Sequence, residues 1–296
     1  RRTGERRFEG HQGPRGRQRL TCMKLGICEW VTPIKGPAIF PRLKELGIDG
    51  IQLDDWDGYA QNQPMTDPFV QTLYRRAAEE SGMQLIGMAG NSLGREGGMI
   101  YPLDTPRGQQ CWGTFTAGLD ACAALELPLY LAPAFFEGFP RTQADRRRIV
   151  ERMKDACRYA AGSGVAVTLE SIFPAEQLRR IWEEIDMPNF GIYYDTQNPV
   201  TYAGIDVPAD IRILGPRKIA QIHVKDGVES RQGSVHLGMG ETNFEACAQA
   251  ILEIGYDGWI VLENYYSRPC FQSALKDPWD RIAKDVEIAR RAFGID

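Results

Sequence analysis

The chain of 296 residues has no apolar run long enough to cross a membrane and no Cys-x-x-Cys pair. A membrane-spanning helix needs about 20 apolar residues in a row, so this absence excludes such a helix. The seven cysteines are scattered along the chain. Their spacing excludes a cysteine-based zinc site and predicts reduced thiols, as in the cytoplasm, rather than disulfides. No glycine-rich phosphate-binding sequence follows the first predicted strand, which argues against a dinucleotide-binding open sheet.

The composition, 43 % hydrophobic and 25 % charged, is that of a globular protein. Residues 1–22 differ from the rest because they are basic, poor in apolar residues and without the apolar segment of a secretory signal. We expect them to form a disordered extension whose deletion leaves fold and activity intact. A nucleic-acid-binding arm is the alternative, but Phe8 is the only aromatic residue among the arginines. Residues 23–296 are acidic, which argues against a nucleic-acid partner.

Strand-like and helix-like segments alternate from Met23 onward. Two helical segments, 41–47 and 67–82, end on a capping glycine, and the second begins with Asp67-Pro68, an N-cap followed by proline. Eight strands with eight connections predict a single (β/α)8 TIM barrel, in which the connection 199–218 is the least helix-like. The predicted strands are 23–31, 49–55, 84–91, 128–135, 166–172, 189–198, 219–226 and 258–266, and further helices are predicted after Thr105 and at 141–163, 174–185, 243–255 and 277–293.

Four apolar strands in the second half of the chain each end in a residue that can bind a metal. In a TIM barrel the carboxyl ends of the strands meet at one face, where ligands bind. Glu170, Asp195, His223 and Glu263 are therefore predicted to converge there. Three carboxylates and an imidazole suit a divalent cation. One acid after a strand often only caps the next helix, but four such residues after four successive strands favour a metal site.

The motifs around these residues resemble those of the sugar phosphate isomerase/epimerase superfamily, whose fold is similar to that of xylose isomerase. The resemblance extends over essentially all of residues 23–296, and it is specific for the superfamily rather than for a substrate. The matching stretches are Thr168-Leu-Glu170, Tyr194-Asp195-Thr-Gln-Asn198, Ile222-His223-Val-Lys-Asp226, Gly238-Met-Gly240-Glu-Thr-Asn-Phe244 and Gly255-Tyr256-Asp-Gly258-Trp-Ile-Val-Leu-Glu263.

The resemblance implies that the four residues bind one divalent ion, commonly Mn²⁺, with Mg²⁺, Co²⁺ and Zn²⁺ as alternatives. It also implies an isomerase or epimerase of a ketose, keto-sugar or sugar phosphate, with Glu170 and Glu263 as the acid–base pair. Proton removal beside a ketone passes through an enediolate, whose negative charge a divalent cation stabilises. Two glutamates on different strands could serve opposite faces of the substrate.

Substrate-binding candidates lie near the predicted ligands. By resemblance, Glu176 matches a substrate-binding acid of the ketose epimerases, although an acid in the first turn of a helix is an equally good interpretation. Asn198 stands where many of those enzymes have a histidine, which favours the sugar-phosphate-like branches. Lys225 shares a strand face with His223 and is a candidate to hold a substrate oxygen or phosphate.

Other candidates lie on the loops that follow the strands. His236 is interpreted either as a substrate binder or as an ordinary loop residue. Trp30 and Trp56 follow the first two strands and either stack on a sugar ring or pack in the core. Arg231 and Arg268 follow strands seven and eight, where a phosphate could bind.

The resemblance leaves a lyase or dehydratase as the main alternative activity, because inosose dehydratases and C-glycoside-cleaving subunits share the four ligands and the first proton removal. An endonuclease IV-like nuclease is disfavoured, since its three-zinc site needs many histidines and this chain has three, one of them His11 in the extension. A non-catalytic sugar-binding barrel is disfavoured while both glutamates are present. A homo-oligomer and a complex with a partner subunit both stay open.

Overall fold

The computed structural model describes residues 23–55 and 63–295 of the chain. The predicted extension, residues 1–22, and Trp56 lie outside the described residues, so the expectations for them stay predictions. The strands are β1 Lys24–Cys28, β2 Gly50–Asp54, β3 Gln84–Ala89, β4 Leu129–Pro133, β5 Ala166–Glu170, β6 Phe190–Asp195, β7 Ile219–Val224 and β8 Trp259–Leu262.

The eight strands form one closed parallel barrel, in which β1 pairs with β8 as well as with β2. The predicted single (β/α)8 barrel is therefore confirmed. Ala89, Leu129, Leu131 and Tyr193 pack together as a small apolar cluster of their own, apart from the larger core. Side chains fill the interior of an eight-stranded barrel, so a substrate can reach the strands only at the barrel mouth.

Helices connect the strands, and polar caps fix where several of them begin. Asp67 and Asp277 each accept a backbone N–H in the first helical turn, and Thr142 with Asp145 forms a reciprocal capping box. The helices of the described residues are α1 Phe40–Glu45, α2 Pro68–Ser81, α3 Asn91–Glu96, α4 Pro106–Ala124, α5 Gln143–Tyr159, α6 Ala175–Ile185, α7 Asn198–Ala203, α8 Val207–Leu214, α9 Phe244–Glu253 and α10 Pro278–Phe293.

The connection between β6 and β7 differs from the expectation that it is the least helical of the eight. It holds two helices, α7 of 6 residues and α8 of 8 residues. Each has a proline in its first turn and ends on a glycine, Gly204 or Gly215, with positive φ. Helices this short contain too few turns to display the periodicity that the prediction relied on. This connection is where Asn198, at the start of α7, is placed beside β6.

The structure bears on two features of the composition. In the described residues no helix is both long and apolar enough to cross a membrane. The six cysteines of this part of the chain are free, and five of them are buried. Their burial in the core fits thiols that serve as small apolar side chains.

Candidate metal centre

The four strand-end residues predicted to bind a metal converge at the barrel mouth. Glu170 and Asp195 end β5 and β6, His223 is the last residue but one of β7, and Glu263 follows β8 directly. Asp195 and His223 are also register partners. One ligand atom from each of the four lies within 4.8 Å of the others, and all four side chains are buried. The parallel barrel therefore brings together the set that the sequence pattern singled out.

The His223 ring faces the carboxylates with one nitrogen and the barrel interior with the other. Its Nδ1 lies 3.4 Å from Glu263 Oε2 and 3.7 Å from Glu170 Oε1, without a hydrogen-bond partner. Its Nε2 lies 2.7 Å from Gln52 Oε1. Burial works to lower the pKa of His223, but Glu263 and Glu170 raise it above its ordinary value. An unpartnered nitrogen between two carboxylates is a place where a cation is stabilised.

The Asp195 carboxylate divides its two oxygens between the backbone and the cluster. Oδ1 accepts the backbone N–H of Gln197 at 2.7 Å and that of Asn198. Oδ2 has no hydrogen-bond partner, although the Lys225 ammonium lies 3.1 Å away as an ion pair. Burial raises the pKa of Asp195 to about 6, with Lys225 opposing the shift and Glu263 adding to it. The backbone contacts fix the carboxylate so that Oδ2 points into the cluster.

The two glutamates are each held by a neighbouring side chain. Asn198 Nδ2 donates to Glu170 Oε1 at 3.1 Å, and Trp30 Nε1 donates to Glu263 Oε1 at 3.1 Å. Lys225 Nζ donates to the other Glu263 oxygen at 2.7 Å. Burial acts to raise the pKa of Glu263, but Lys225 and His223 outweigh it and lower the pKa to about 2. Glu263 is therefore ionised at neutral pH.

The ligand atoms of these four side chains suit a divalent cation. Three carboxylates outnumber the single buried ammonium of Lys225, so the cluster remains net negative while His223 is neutral. Asp195 Oδ2 and His223 Nδ1 are buried without hydrogen-bond partners and face the same space. Buried polar atoms are seldom left unsatisfied, and carboxylates with an imidazole suit Mn²⁺, Mg²⁺, Co²⁺ or Zn²⁺. The four residues could thus hold one such ion.

Cys28, His223 and Glu263 form a second group with ligand-like spacing. The Cys28 Sγ lies 3.3 Å from His223 Nε2, on the side of the ring away from Nδ1. Burial raises the pKa of the Cys28 thiol well above its ordinary value. A protonated thiol is a poor metal ligand, so the set with three carboxylates is the better candidate.

Comparisons with known proteins agree with this arrangement. Residues 40–291 match the family model described as the xylose isomerase-like TIM barrel. The chain belongs to this family. The resemblance inferred from the motifs is thus confirmed.

Relatives and solved structures of similar proteins bear epimerase names. A 2-epi-5-epi-valiolone 7-phosphate 2-epimerase from Actinoplanes sp. is 29 % identical over 92 % of this chain and 95 % of its own length. A ketose 3-epimerase from Arthrobacter globiformis is 26 % identical over 76 % of each chain. A structure of D-psicose 3-epimerase with D-tagatose from Clostridium cellulolyticum H10 has a TM-score of 0.74 and 17 % identity over 92 % of this chain and 99 % of that one. At that identity, the last comparison supports the fold alone.

Of the eight substrate-binding candidates, three lie against the four ligands, Trp56 lies outside the described residues, and Arg268 packs over the Tyr265 ring at 3.7 Å. Trp30 contacts Glu263, and Asn198 contacts Glu170. Lys225 forms ion pairs with Asp195 and Glu263, and its side chain is only 2 % exposed. A lysine buried to this degree among carboxylates is part of the centre rather than a solvated loop residue. Whether these three side chains touch substrate stays a prediction.

Three further candidates, Glu176, Arg231 and His236, are placed away from the ligands. Glu176, in the first turn of α6, is exposed and pairs with Arg179 at 3.0 Å. It borders a surface groove of about 380 Å³ whose lining is drawn from 146–150 and 174–184. Arg231 is paired with Glu229 on the loop after β7. For both side chains the recorded contacts are those of surface ion pairs.

His236 belongs to a separate polar network. Its Nδ1 lies 2.8 Å from Asp285 Oδ1 and its Nε2 lies 2.9 Å from Ser273 Oγ. Asp285 also accepts from Asn264 Nδ2 at 2.6 Å. Both ring nitrogens are occupied by protein partners, so the geometry favours the interpretation as a loop residue that anchors α10.

Gln52, Cys28 and Tyr193 are neighbours of His223 that the sequence reasoning missed. Gln52 Oε1 accepts from Tyr193 OH at 3.2 Å, and the rings of Tyr193 and His223 lie 4.3 Å apart. The available signal was a polar residue, Gln52, between the apolar Ile51 and Leu53 of strand β2. Such a residue has to find a partner inside the barrel, and here the partner is the metal-ligand candidate.

The Gly-x-Gly motif after β7 supplies backbone N–H groups to the Asp226 carboxylate. Asp226 Oδ2 accepts the N–H groups of Gly238 and Gly240, each at 3.0 Å, and Oδ1 accepts that of Thr242 at 3.2 Å. Gly238 has a φ of +81°, and a Cβ at Gly240 would collide with the Asp226 carboxylate. The motif therefore closes the loop that follows His223 and Lys225, rather than contributing ligands.

Proposed function

We propose that this protein is a divalent-metal-dependent epimerase or isomerase of a polyhydroxylated ketone, either a ketose, a keto-sugar or a phosphate of one. The observation that carries the proposal is the convergence of Glu170, Asp195, His223 and Glu263 within 4.8 Å at the barrel mouth. Family membership supports it, as do the two relatives, whose names denote inversion at one carbon of a ketone. The substrate in this proposal is a small carbohydrate.

Residues of the cluster would divide the work of moving a proton. A divalent cation held by the four residues would supply stabilisation for the negative charge of an enediolate. Glu170 and Glu263 would remove and return the proton on opposite faces of the substrate carbon. Glu263 is ionised at neutral pH, which is the form that a proton acceptor requires. Asn198 and Trp30 would keep the two carboxylates in place by the hydrogen bonds described above.

Lys225 would act as a donor rather than a base. Burial opposes its charge, but Asp195 and Glu263 raise its pKa well above the ordinary value. The ammonium therefore keeps its proton at neutral pH. In this position it would stabilise a negatively charged substrate oxygen by a charge-assisted hydrogen bond.

The test is solvent exchange of the substrate proton. The full chain with Mn²⁺ is incubated in D₂O with ketoses, ketose phosphates, inososes and 3-keto-glycosides, and NMR spectra are recorded after the metal is removed with chelator. We expect one C–H beside the carbonyl of at least one class to exchange, together with inversion at that carbon. Exchange accompanied by loss of water or of a glycone would favour the dehydratase or lyase alternative instead.

The control is the double variant Glu170→Gln, Glu263→Gln loaded with the same metal. An amide can still coordinate a metal but cannot carry the proton, so exchange should disappear. The proposal fails if no substrate class exchanges with the wild-type protein. It also fails if exchange continues at the wild-type rate in the double variant.

A further inference from the structure

Gln52 lies where it can decide which nitrogen of His223 faces the carboxylates. Its side chain is fully buried inside the barrel, and its Oε1 is 2.7 Å from His223 Nε2. With the amide in its assigned orientation, Oε1 can only accept a hydrogen bond. In a neutral ring the proton must then sit on Nε2, which leaves Nδ1 as the nitrogen with a free lone pair. That lone pair points towards Glu263 and Glu170.

Two further neighbours lie against the same Gln52 oxygen, while the amide nitrogen of Gln52 is buried without a hydrogen-bond partner. Tyr193 OH donates to Oε1 at 3.2 Å, and the Cys28 Sγ lies 3.5 Å from the same oxygen. Cys28 and Gln52 are register partners on β1 and β2, so their side chains are carried to the same level of the barrel. Gln52 Oε1 and Cys28 Sγ are the atoms recorded against Nε2, whereas the recorded carboxylate neighbours of the ring lie at Nδ1.

We infer that Gln52 is a positioning residue for the metal centre, acting through His223. It holds the ring with Nε2 protonated, so that Nδ1 is preset as the ligand atom. This inference rests on the proposed function in one respect, because it takes a divalent ion to be the partner of Nδ1. Hydrogen bonds of this kind to the second nitrogen of a ligand histidine typically contribute about 10- to 100-fold in metal affinity.

Gln221 provides a matched control within the same barrel. It is also a buried glutamine, on β7, and its Oε1 lies 3.2 Å from the Tyr193 OH, so that the single hydroxyl proton is shared between this oxygen and Gln52 Oε1. Its Nε2 donates to the backbone of Ile86 at 2.7 Å. Among the described contacts it has none with His223. A substitution at Gln221 therefore removes a buried amide and a Tyr193 contact without changing the partner of the histidine.

The first experiment is long-range ¹H–¹⁵N NMR of the histidine rings, with the full chain metal-free and loaded with diamagnetic Zn²⁺. The chain has three histidines, and His236 serves as an internal reference because its own partners are Asp285 and Ser273. In the Zn²⁺ form we expect His223 to carry its proton on Nε2 and to bind metal through Nδ1. Gln52→Met should shift the Nε2 resonance of His223 in both forms and leave His236 unchanged.

The second measurement is Zn²⁺ affinity by calorimetry for the same variants. Gln52→Met should weaken binding about tenfold or more, while Gln221→Met should leave it within about twofold. Gln52→Glu should bind at least as tightly as wild type, because a carboxylate also accepts from Nε2–H. Metal bound through Nε2, or equal losses in the Gln52→Met and Gln221→Met variants, would overturn the inference.

The two readouts separate this inference from the proposed function. If the wild-type protein bound no divalent ion, the proposed function would fail. The metal-free spectra would still show whether Gln52→Met moves the His223 Nε2 resonance. An unchanged resonance there would overturn the assignment of Gln52 whatever the outcome for the metal.

Discussion

Buried acids lie on both sides of the barrel mouth, but in the described residues those after β5, β6 and β8 converge on one space with ligand-like spacing. After β1 and β2, Glu29 accepts the N–H groups of Gly36 at 2.9 Å and Asp54 at 3.2 Å, as well as the Tyr74 hydroxyl. Asp55 accepts both the N–H and the hydroxyl of Ser92. The oxygens of both carboxylates accept hydrogen bonds from neighbouring backbone N–H groups and hydroxyls. These contacts support a structural role for the two acids.

The group after β5 to β8 consists of Glu170, Asp195, His223 and Glu263. It accepts fewer hydrogen bonds from its own loops. Asp195 Oδ2 and His223 Nδ1 lack hydrogen-bond partners, and no backbone N–H is recorded on either glutamate. In the described part of the chain, the groups with ligand-like spacing include none of Glu29, Asp54 and Asp55. Burial and negative charge therefore do not distinguish a cation site from a capped loop. The distinguishing feature is what the oxygens face.

The largest effect expected is on turnover when either Glu170 or Glu263 loses its charge. Glu170→Gln and Glu263→Gln should each lower turnover by about 10³-fold with metal still bound, because positioned proton transfer contributes about 10²- to 10⁴-fold. We expect one of the two variants to retain exchange of the substrate proton without inversion. Asp55→Asn, from the first group, is the control and should change turnover only a few-fold. Wild-type turnover in either glutamate variant would refute the two-base mechanism.

The next effect concerns metal occupancy rather than proton transfer. Asp195→Asn and His223→Ala should lose most activity at stoichiometric Mn²⁺ and regain part of it in excess Mn²⁺, because each removes a ligand and leaves both glutamates. Initial rates measured across a Mn²⁺ titration check this. A loss that no Mn²⁺ concentration relieves would mean that these residues do more than bind the ion.

Lys225 provides a test in which affinity and turnover should change in opposite directions. Lys225→Met removes the ammonium that is paired with Asp195 and Glu263, so Mn²⁺ should bind about tenfold more tightly through reduced charge repulsion. Turnover should fall by about 10- to 100-fold because the donor to substrate oxygen is lost. Lys225→Arg, which keeps the charge, should bind Mn²⁺ close to wild type. Weaker Mn²⁺ binding in Lys225→Met would contradict the ion-pair argument.

The smallest effect expected is a pH-dependent stability change in the first group. Burial raises the pKa of Asp55 to about 7, with Ser92 opposing the shift and Asp54 adding to it, from an ordinary value of 3.8. A raised pKa means that the folded protein holds this proton more strongly than the unfolded chain does. The resulting stabilisation is complete below about pH 4 and is lost as the pH rises through about 7. Asn does not titrate.

The Asp55→Asn variant should therefore gain stability relative to wild type as the pH rises. The difference in free energy of unfolding should grow by on the order of 2 kcal/mol between pH 5 and pH 8 and then level off. Denaturant unfolding at four pH values measures it. Asp145→Asn is a control of opposite sign, because hydrogen bonds from Thr142 and the charge of Arg148 outweigh desolvation and lower the pKa of Asp145. Parallel pH profiles for wild type and Asp55→Asn would contradict the assignment.

The fold and the four ligand residues were predictable because each rests on a local pattern that repeats. Every strand is a short and mostly apolar segment, and parallel strands bring their last residues to one face whatever the helices between them do. That is why Glu170, Asp195, His223 and Glu263 could be grouped without coordinates. The helices α7 and α8 were not predicted because two short helices give no sustained period.

Side-chain direction was harder to predict than position in the chain. Glu176 and Arg231 lie close in sequence to strand ends, yet their neighbours Arg179 and Glu229 pair with them at the surface. Gln52 was missed because its partner His223 is distant in sequence and meets it only across the closed barrel. Contacts of this kind depend on barrel closure and rotamer choice, which a single sequence does not encode in any short window.

The most direct test of the difference between the two groups is a Mn²⁺ titration of the full chain followed by electron paramagnetic resonance, which distinguishes free from bound ion. The account predicts about one bound ion per chain, lost in the double variant Asp195→Ala, His223→Ala and unchanged in Asp54→Asn and Asp55→Asn. Binding that survived the first variant, or that disappeared in the Asp54→Asn or Asp55→Asn protein, would contradict it.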